Sequence, residues 1–317
     1  MEKPILLLKQ DLIKPIEQAL ERIEKIRQLK ASNTDSIILE GLFILAISSF
    51  ENSLNDTLRI LLMNIPDKLD FKSENISKEE LIDGNPLKQA VENKIISISY
   101  KNLTEIQKFF AKTTGLNETI ISETLTNELL EIKATRNLLI HNNLVVNSIY
   151  KETAGINQRE PNFEKKLIID QNYLFSSLTT LRDILNKYKI KLLEKYSDFT
   201  RINAIKKLFR YIFNTPVMQF ENEFEVDEEN DIISTLKNSS RKNALSSSEK
   251  FYYDIWLAHS HGTRFEFNSG QFYSISNKDK LSFFMKNIDL LKSKEKPADD
   301  IGNCLTTIIL DTKNKIV

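Results

Sequence analysis

Within "EIKATRNLLIHNNLVV" (residues 131–146), an arginine, an asparagine and one of only 3 histidines in the chain fall close together: Arg136, Asn137 and His141. Their side chains offer a definite chemistry. Arginine presents a planar, permanently charged fork suited to phosphate oxygens. Histidine changes charge near neutral pH and can move protons as a general acid–base. Asn137 can orient either partner. Asn137 and His141 are four apart and share a helix face. Arg136 lies about 140° round from His141 at roughly 100° per residue, near enough for its long side chain to swing back. Leu138, Leu139, Ile140 and Leu144 fill the gaps with apolar surface. The bland alternative is a satisfied polar pair within a helical core.

These residues need a scaffold, and the composition says which kind. The chain has 317 residues, 41% hydrophobic and 28% charged, enough for a buried core and for two domains. Only 7 Gly and 7 Pro interrupt it, which favours long helices. Apolar periodicity predicts helices over 11–29, 34–65, 86–101, 102–114, 118–144 and 170–196. Thr34, Asp35 or Ser36 can cap the second, Asn102 the fourth and Asp170 the last, with Gly115 as a stop. The second helix is apolar on nearly all sides and belongs in the middle of a bundle or in a subunit interface. Residues 145–170 contain Gly155 and Pro161 and read as an exposed loop, with room for two short strands.

After residue 200 the pattern weakens. A short basic helix carries Arg201, Lys206, Lys207 and Arg210. Residues 246–262 read as helix, 264–275 as a hairpin, 277–291 as helix and 305–310 as a strand. The expected fold is therefore mainly α: a helical bundle over 1–200, then a small α+β domain over 201–317.

Charge limits the partners. Lys+Arg and Asp+Glu are both 44, so the chain is formally neutral and unlike a protein that coats nucleic acid nonspecifically. Residues 216–232 hold seven acidic and no basic residues, so that segment is −7 and the rest sums to +7. The acidic run reads as a flexible loop before it reads as a shield over a basic cleft. The single Cys304 rules out an intramolecular disulfide and multi-thiolate metal sites, and fits a reducing compartment. Residues 4–8 are too short an apolar run for a secretory signal. Residues 41–50, flanked by Glu40 and Glu51, read as buried helix and not as a membrane span. The expected setting is cytoplasmic, with no membrane association.

The motif "RNLLIH" (136–141) resembles that of the HEPN superfamily, in which Arg, often followed by Asn, precedes His by a few residues near the end of a helix in a helical bundle. The stretch "SSFENSLNDTLR" (48–59) adds to the likeness, placing Glu51 and Asn55 four apart on the earlier long helix, where that family carries an acidic or polar residue facing its motif. The resemblance spans roughly residues 1–200 and is silent on the rest. It implies a metal-independent endoribonuclease that needs no cofactor, works as a homodimer with both motifs in the interface cleft, and leaves 2′,3′-cyclic phosphate and 5′-hydroxyl ends. Arg136, His141, Asn137 and Glu51 would be catalytic, and Asn55, Asn142 and Asn143 would contact RNA. Such proteins commonly act as toxins or abortive-infection effectors, so an antitoxin or trigger protein is an implied partner. One departure stands out. A HEPN subgroup paired with nucleotidyltransferase antitoxins has a Tyr two residues after the His, where this chain has Asn143. Control through that Tyr is therefore not implied.

Two other readings compete. The bundle could be a non-catalytic HEPN-like dimerisation or binding module, with Arg136 and His141 structural. Alternatively, His259 and His261 in "AHSHG" could hold zinc in a metal-dependent hydrolase. However, histidines at a helix C-terminus ordinarily complement open carbonyls, and no third ligand is evident.

Overall fold

A computed structural model describes residues 3–30, 35–69, 86–101 and 103–200, with scattered positions between 203 and 287. The chain divides into two units, Lys9–Ser197 and a second made of Met1–Leu8 with Asp198–Val317.

The first unit is mainly helical. Seven helices run through its described residues: α1 (Lys9–Lys30), α2 (Ser36–Asn64), α3 (Pro86–Ser99), α4 (Leu103–Thr114), α5 (Glu123–Asn142), α6 (Ser148–Ala154) and α7 (Gln171–Lys195). The long apolar helix expected in the middle is α2, which packs against α1, α3, α4, α5 and α7. Its Phe43, Phe50, Leu54, Leu58, Leu61 and Leu62 are buried. Each such side chain stabilises the fold by about 1.5–3 kcal/mol relative to exposure. By length and composition alone α2 could cross a membrane; here that apolar surface is what holds the bundle together. Arg59 of α2 clamps Glu92 of α3 with two hydrogen bonds, of 2.6 and 2.9 Å.

Caps set the helix starts. Asp35 accepts a hydrogen bond from the Ile37 amide (2.8 Å) and Asp170 one from the Tyr173 amide (2.7 Å), satisfying amides that an α-helix leaves open. At the other end of α4, Gly115 takes φ +71. Asn102 lies outside the described residues.

Two expectations for the first unit are corrected. The helix expected over 118–144 starts later, because Asn117 caps a short 3-10 turn (Glu118–Ile120) and Ser122 then caps α5 afresh. Residues 145–170 are not simply an exposed loop. Asn147 caps α6, whose Tyr150 and Ala154 are buried. The strand character expected there reduces to one antiparallel bridge, Val145 to Lys166, between Leu144 and Val146 on one side and Leu167 on the other, all three buried. Short apolar runs interrupted by Gly and Pro hide a seven-residue helix from any periodicity argument.

In the second unit, Asn203, Ala204, Lys207, Leu208 and Tyr211 are helical. Strand β1 (Phe224–Asp227) pairs antiparallel with β2 (Ile232–Leu236), Asp227 opposite Ile232 and Phe224 opposite Leu236. Strand β1 lies within the acidic run that was expected to be a loop, and β2 begins at its last residue. Phe224 and Val226 alternate with Glu225 and Asp227, a strand period that the density of charge obscures. The segments read as helix over 246–262, hairpin over 264–275 and strand over 305–310, with His259, His261 and Cys304, lie outside the described residues.

Candidate functional site

Helix α5 carries the motif, and its C-terminal end is unusual. Asn143 adopts φ 47 and Leu144 φ 64, two left-handed residues in succession. The Leu144 amide donates back to the Leu138 carbonyl (3.0 Å), and the Leu144 carbonyl accepts from the Leu167 amide (2.9 Å). The Asn142 amide group donates to the Val145 carbonyl (2.6 Å). Asn142 and Asn143 are thus engaged in turning the chain sharply out of α5. Left-handed backbone costs an ordinary residue about 1–2 kcal/mol and glycine almost nothing. Asn143→Gly should therefore match or exceed wild-type stability by up to about 1 kcal/mol, and Asn143→Val should lose about 1–2 kcal/mol, by urea denaturation. Equal stability of the two variants would show that this turn does not depend on the conformation of Asn143.

On the turn before, Arg136 is half-buried. Its Nη1 donates to Asn137 Oδ1 at 3.1 Å, while its Nε is buried without a partner. A buried guanidinium N–H lacking an acceptor is uncommon and costly, which marks it as a group with bonding capacity in reserve. His141 is exposed in the last turn of α5 beside half-exposed Ile140. Among the described residues the His141 and Asn55 side chains make no hydrogen bond, although Asn55 is half-buried on α2.

Glu51 does lie against α5, but its direct partner is Lys133, one turn before Arg136. Burial, with the Arg136 charge adding to it, pushes the Lys133 ammonium down to about 8. The Glu51 carboxylate touching Lys133 is an anion and by its charge acts in the opposite direction. Above about pH 8 the folded chain has released this proton while the unfolded chain keeps it up to 10.5, so this residue makes folding more favourable as pH rises through that window. Acetylation of Lys133, followed by mass spectrometry against pH, should reach half its maximal rate near 8, well below the roughly 10.4 of a free lysine. Glu51→Gln removes the opposing anion and should lower the midpoint further. A midpoint at the free-lysine value would mean that Glu51 outweighs burial.

The structure therefore joins Glu51 to Lys133 across the α2–α5 contact, with Arg136 and Asn137 one turn further along α5, and leaves His141 exposed beyond them. Lys133 was not among the sequence candidates. Its position three residues before Arg136 was the only available signal.

A second polar cluster also escaped the sequence reading. Glu131, buried on α5, accepts at Oε1 from Thr135 Oγ1 (2.6 Å), Arg159 Nε (3.0 Å) and Tyr150 Oη (3.1 Å), and at Oε2 from Tyr173 Oη (2.8 Å). The Arg159 guanidinium lies 3.5 Å from the Tyr173 ring centre and also donates to the Ile168 carbonyl (2.9 Å). Burial, then the Glu131 charge, raises the Tyr173 hydroxyl well above its ordinary value, and Tyr150 is raised by the same two causes, so both remain donors. The cluster ties α5, α6, the 159–168 segment and α7 together. It anchors the helix that bears Arg136 to its neighbours.

Among the described residues no three His, Cys, Asp or Glu side chains are grouped to hold a metal ion. Compared with protein-family models, curated proteins and solved structures, the chain matches none.

Proposed function

We propose that the chain is a metal-independent endoribonuclease of HEPN type, acting as a cytoplasmic homodimer in toxin or anti-phage defence. One observation carries this reading: a half-buried Arg136 with an unpartnered Nε lies beside Asn137, with exposed His141 later on the same helix. In the proposed reaction the His141 imidazole takes the proton of a ribose 2′-hydroxyl. The 2′-oxygen attacks the adjacent phosphorus, the 5′-oxygen leaves and takes up a proton, and a 2′,3′-cyclic phosphate and a 5′-hydroxyl result. Arg136 stabilises charge on the phosphate oxygens as they crowd. Glu51 holds Lys133 beside Arg136. In the same proposal, residues 201–317 form an α+β accessory domain that senses a trigger or recruits the RNA, and an antitoxin on another chain could restrain the enzyme.

A second reading is a non-catalytic HEPN-like dimerisation module. It draws on the engagement of Asn142 and Asn143 in the helix exit and on the absence of a hydrogen bond from His141 to Arg136 or Asn137. The deciding experiment is cleavage of total RNA by purified protein in excess EDTA, with wild type beside Arg136→Ala and His141→Ala. Cyclic-phosphate fragments from wild type alone support the nuclease. Equal cleavage by a folded His141→Ala dimer sinks it. Dimerisation without cleavage favours the module, and cleavage that EDTA abolishes would point to a metal-dependent hydrolase.

A further inference from the structure

A pocket of about 380 Å³ opens between α3, α4 and the turn that follows α2, and no residue of the Arg136 face lines it. Its walls are Leu62, Leu69, Ile98 and Phe109, of which the three aliphatic side chains are buried. Four lysines surround this apolar floor: Lys68, Lys94, Lys101 and Lys112. Lys101 pairs with Glu105 at 3.4 Å, and the Lys94 ammonium lies 5.8 Å from the Phe109 ring centre. Lys68 is held in place by donating to the Thr113 carbonyl (2.6 Å). Lys195 of α7 approaches the same side: a Cβ on Gly115 would sit 3.8 Å from Lys195 Nζ and 3.9 Å from Lys68 Nζ. Among the described residues no carboxylate pairs with Lys68, Lys112 or Lys195. Burial and the Lys195 charge both push the Lys68 ammonium down. Lys68, Lys112 and Lys195, gathered beside an apolar floor with no carboxylate paired to them, form an incomplete arrangement, which an anion with an apolar body would complete.

We propose that this pocket binds a single amphipathic anion from solution, an aliphatic chain lying on Leu62, Leu69, Ile98 and Phe109 with a phosphate or carboxylate head between Lys68 and Lys112. A ligand of this class must satisfy both parts of the site. Its head alone would leave the floor wet, and its chain alone would leave the ammonium groups unpaired.

The test uses the full chain, calorimetry and four probes: octyl phosphate, octylamine, inorganic phosphate and phosphatidylglycerol vesicles. Octyl phosphate should bind saturably. At ten times its Kd it should slow acetylation of Lys68 and Lys112 about tenfold and leave Lys25 on α1 untouched. The Lys68→Gln, Lys112→Gln double variant should bind at least about tenfold more weakly. Octylamine binding as tightly would reduce the site to an apolar sink and overturn the proposal. So would inorganic phosphate binding as tightly, since the floor would then be idle. Binding to vesicles alone, or to no probe, overturns it as well. The protection measurement is made on wild type, so the outcome stands even if the double variant does not fold.

Discussion

RNA incubated with the His141→Ala variant should be cut at least about 100-fold more slowly than by wild type, the lower end of the 10²–10⁴ range for a positioned general acid–base. Arg136→Ala should lose about 10²–10³-fold, as when one group stabilising transition-state charge is removed. The two act on one transition state, so the double variant should fall little further than the worse single one. Stability separates this effect from unfolding. His141 is exposed and makes no hydrogen bond among the described residues, so its loss should change stability by no more than about 0.5 kcal/mol. A variant that melts with wild type, keeps its dimer and has lost cleavage places His141 in the chemistry. A His141→Ala protein that cleaves within a few-fold of wild type refutes the proposed enzyme, and the module reading then stands.

Glu131→Ala should be among the most damaging single changes to the bundle, by about 3 kcal/mol in urea denaturation. Removing one partner of a buried ion pair costs about 3–5 kcal/mol because it strands the other charge. Arg159 is a quarter exposed, which puts the expectation at the lower end. The Tyr150, Tyr173 and Thr135 hydroxyls also lose their acceptor, so the change removes more than one ion pair. At about 2–4 °C per kcal/mol for a unit of this size, Tm should fall by roughly 6–12 °C. Replacing both Glu131 and Arg159 by Met should recover much of the loss, since neither charge is then left alone. A Glu131→Ala protein within about 1 kcal/mol of wild type would show that water reaches the cluster and that it does not hold α5 in place. If the cluster does set the rotation of α5, the variant should also lose part of any cleavage, even though Glu131 is buried away from the exposed His141.

The sequence by itself determined the long helices α1, α2 and α7. Apolar residues at helical spacing and the side chains of Asp35 and Asp170 act within a few residues of one another, so α1, α2 and α7 could be placed without tertiary knowledge. The all-round apolar surface of α2 implied burial, in the bundle centre or in a subunit interface, and tertiary packing chose the centre. The spacing of Arg136, Asn137 and His141 was also written in one helix. What occupies the other side of that helix was not. Glu51 and Lys133 are 82 positions apart, and Glu131 meets Arg159 and Tyr173 across 28 and 42. Nothing local selects Lys133 over Arg136 as the partner of Glu51. That choice follows from how α2 and α5 are rotated against each other, and packing of the whole bundle sets the rotation. The same holds for the lysines at residues 68, 94, 101 and 112, ordinary surface residues one at a time. Only tertiary structure gathers them over an apolar floor, because a charge acquires a function from the charges and surfaces it is placed beside.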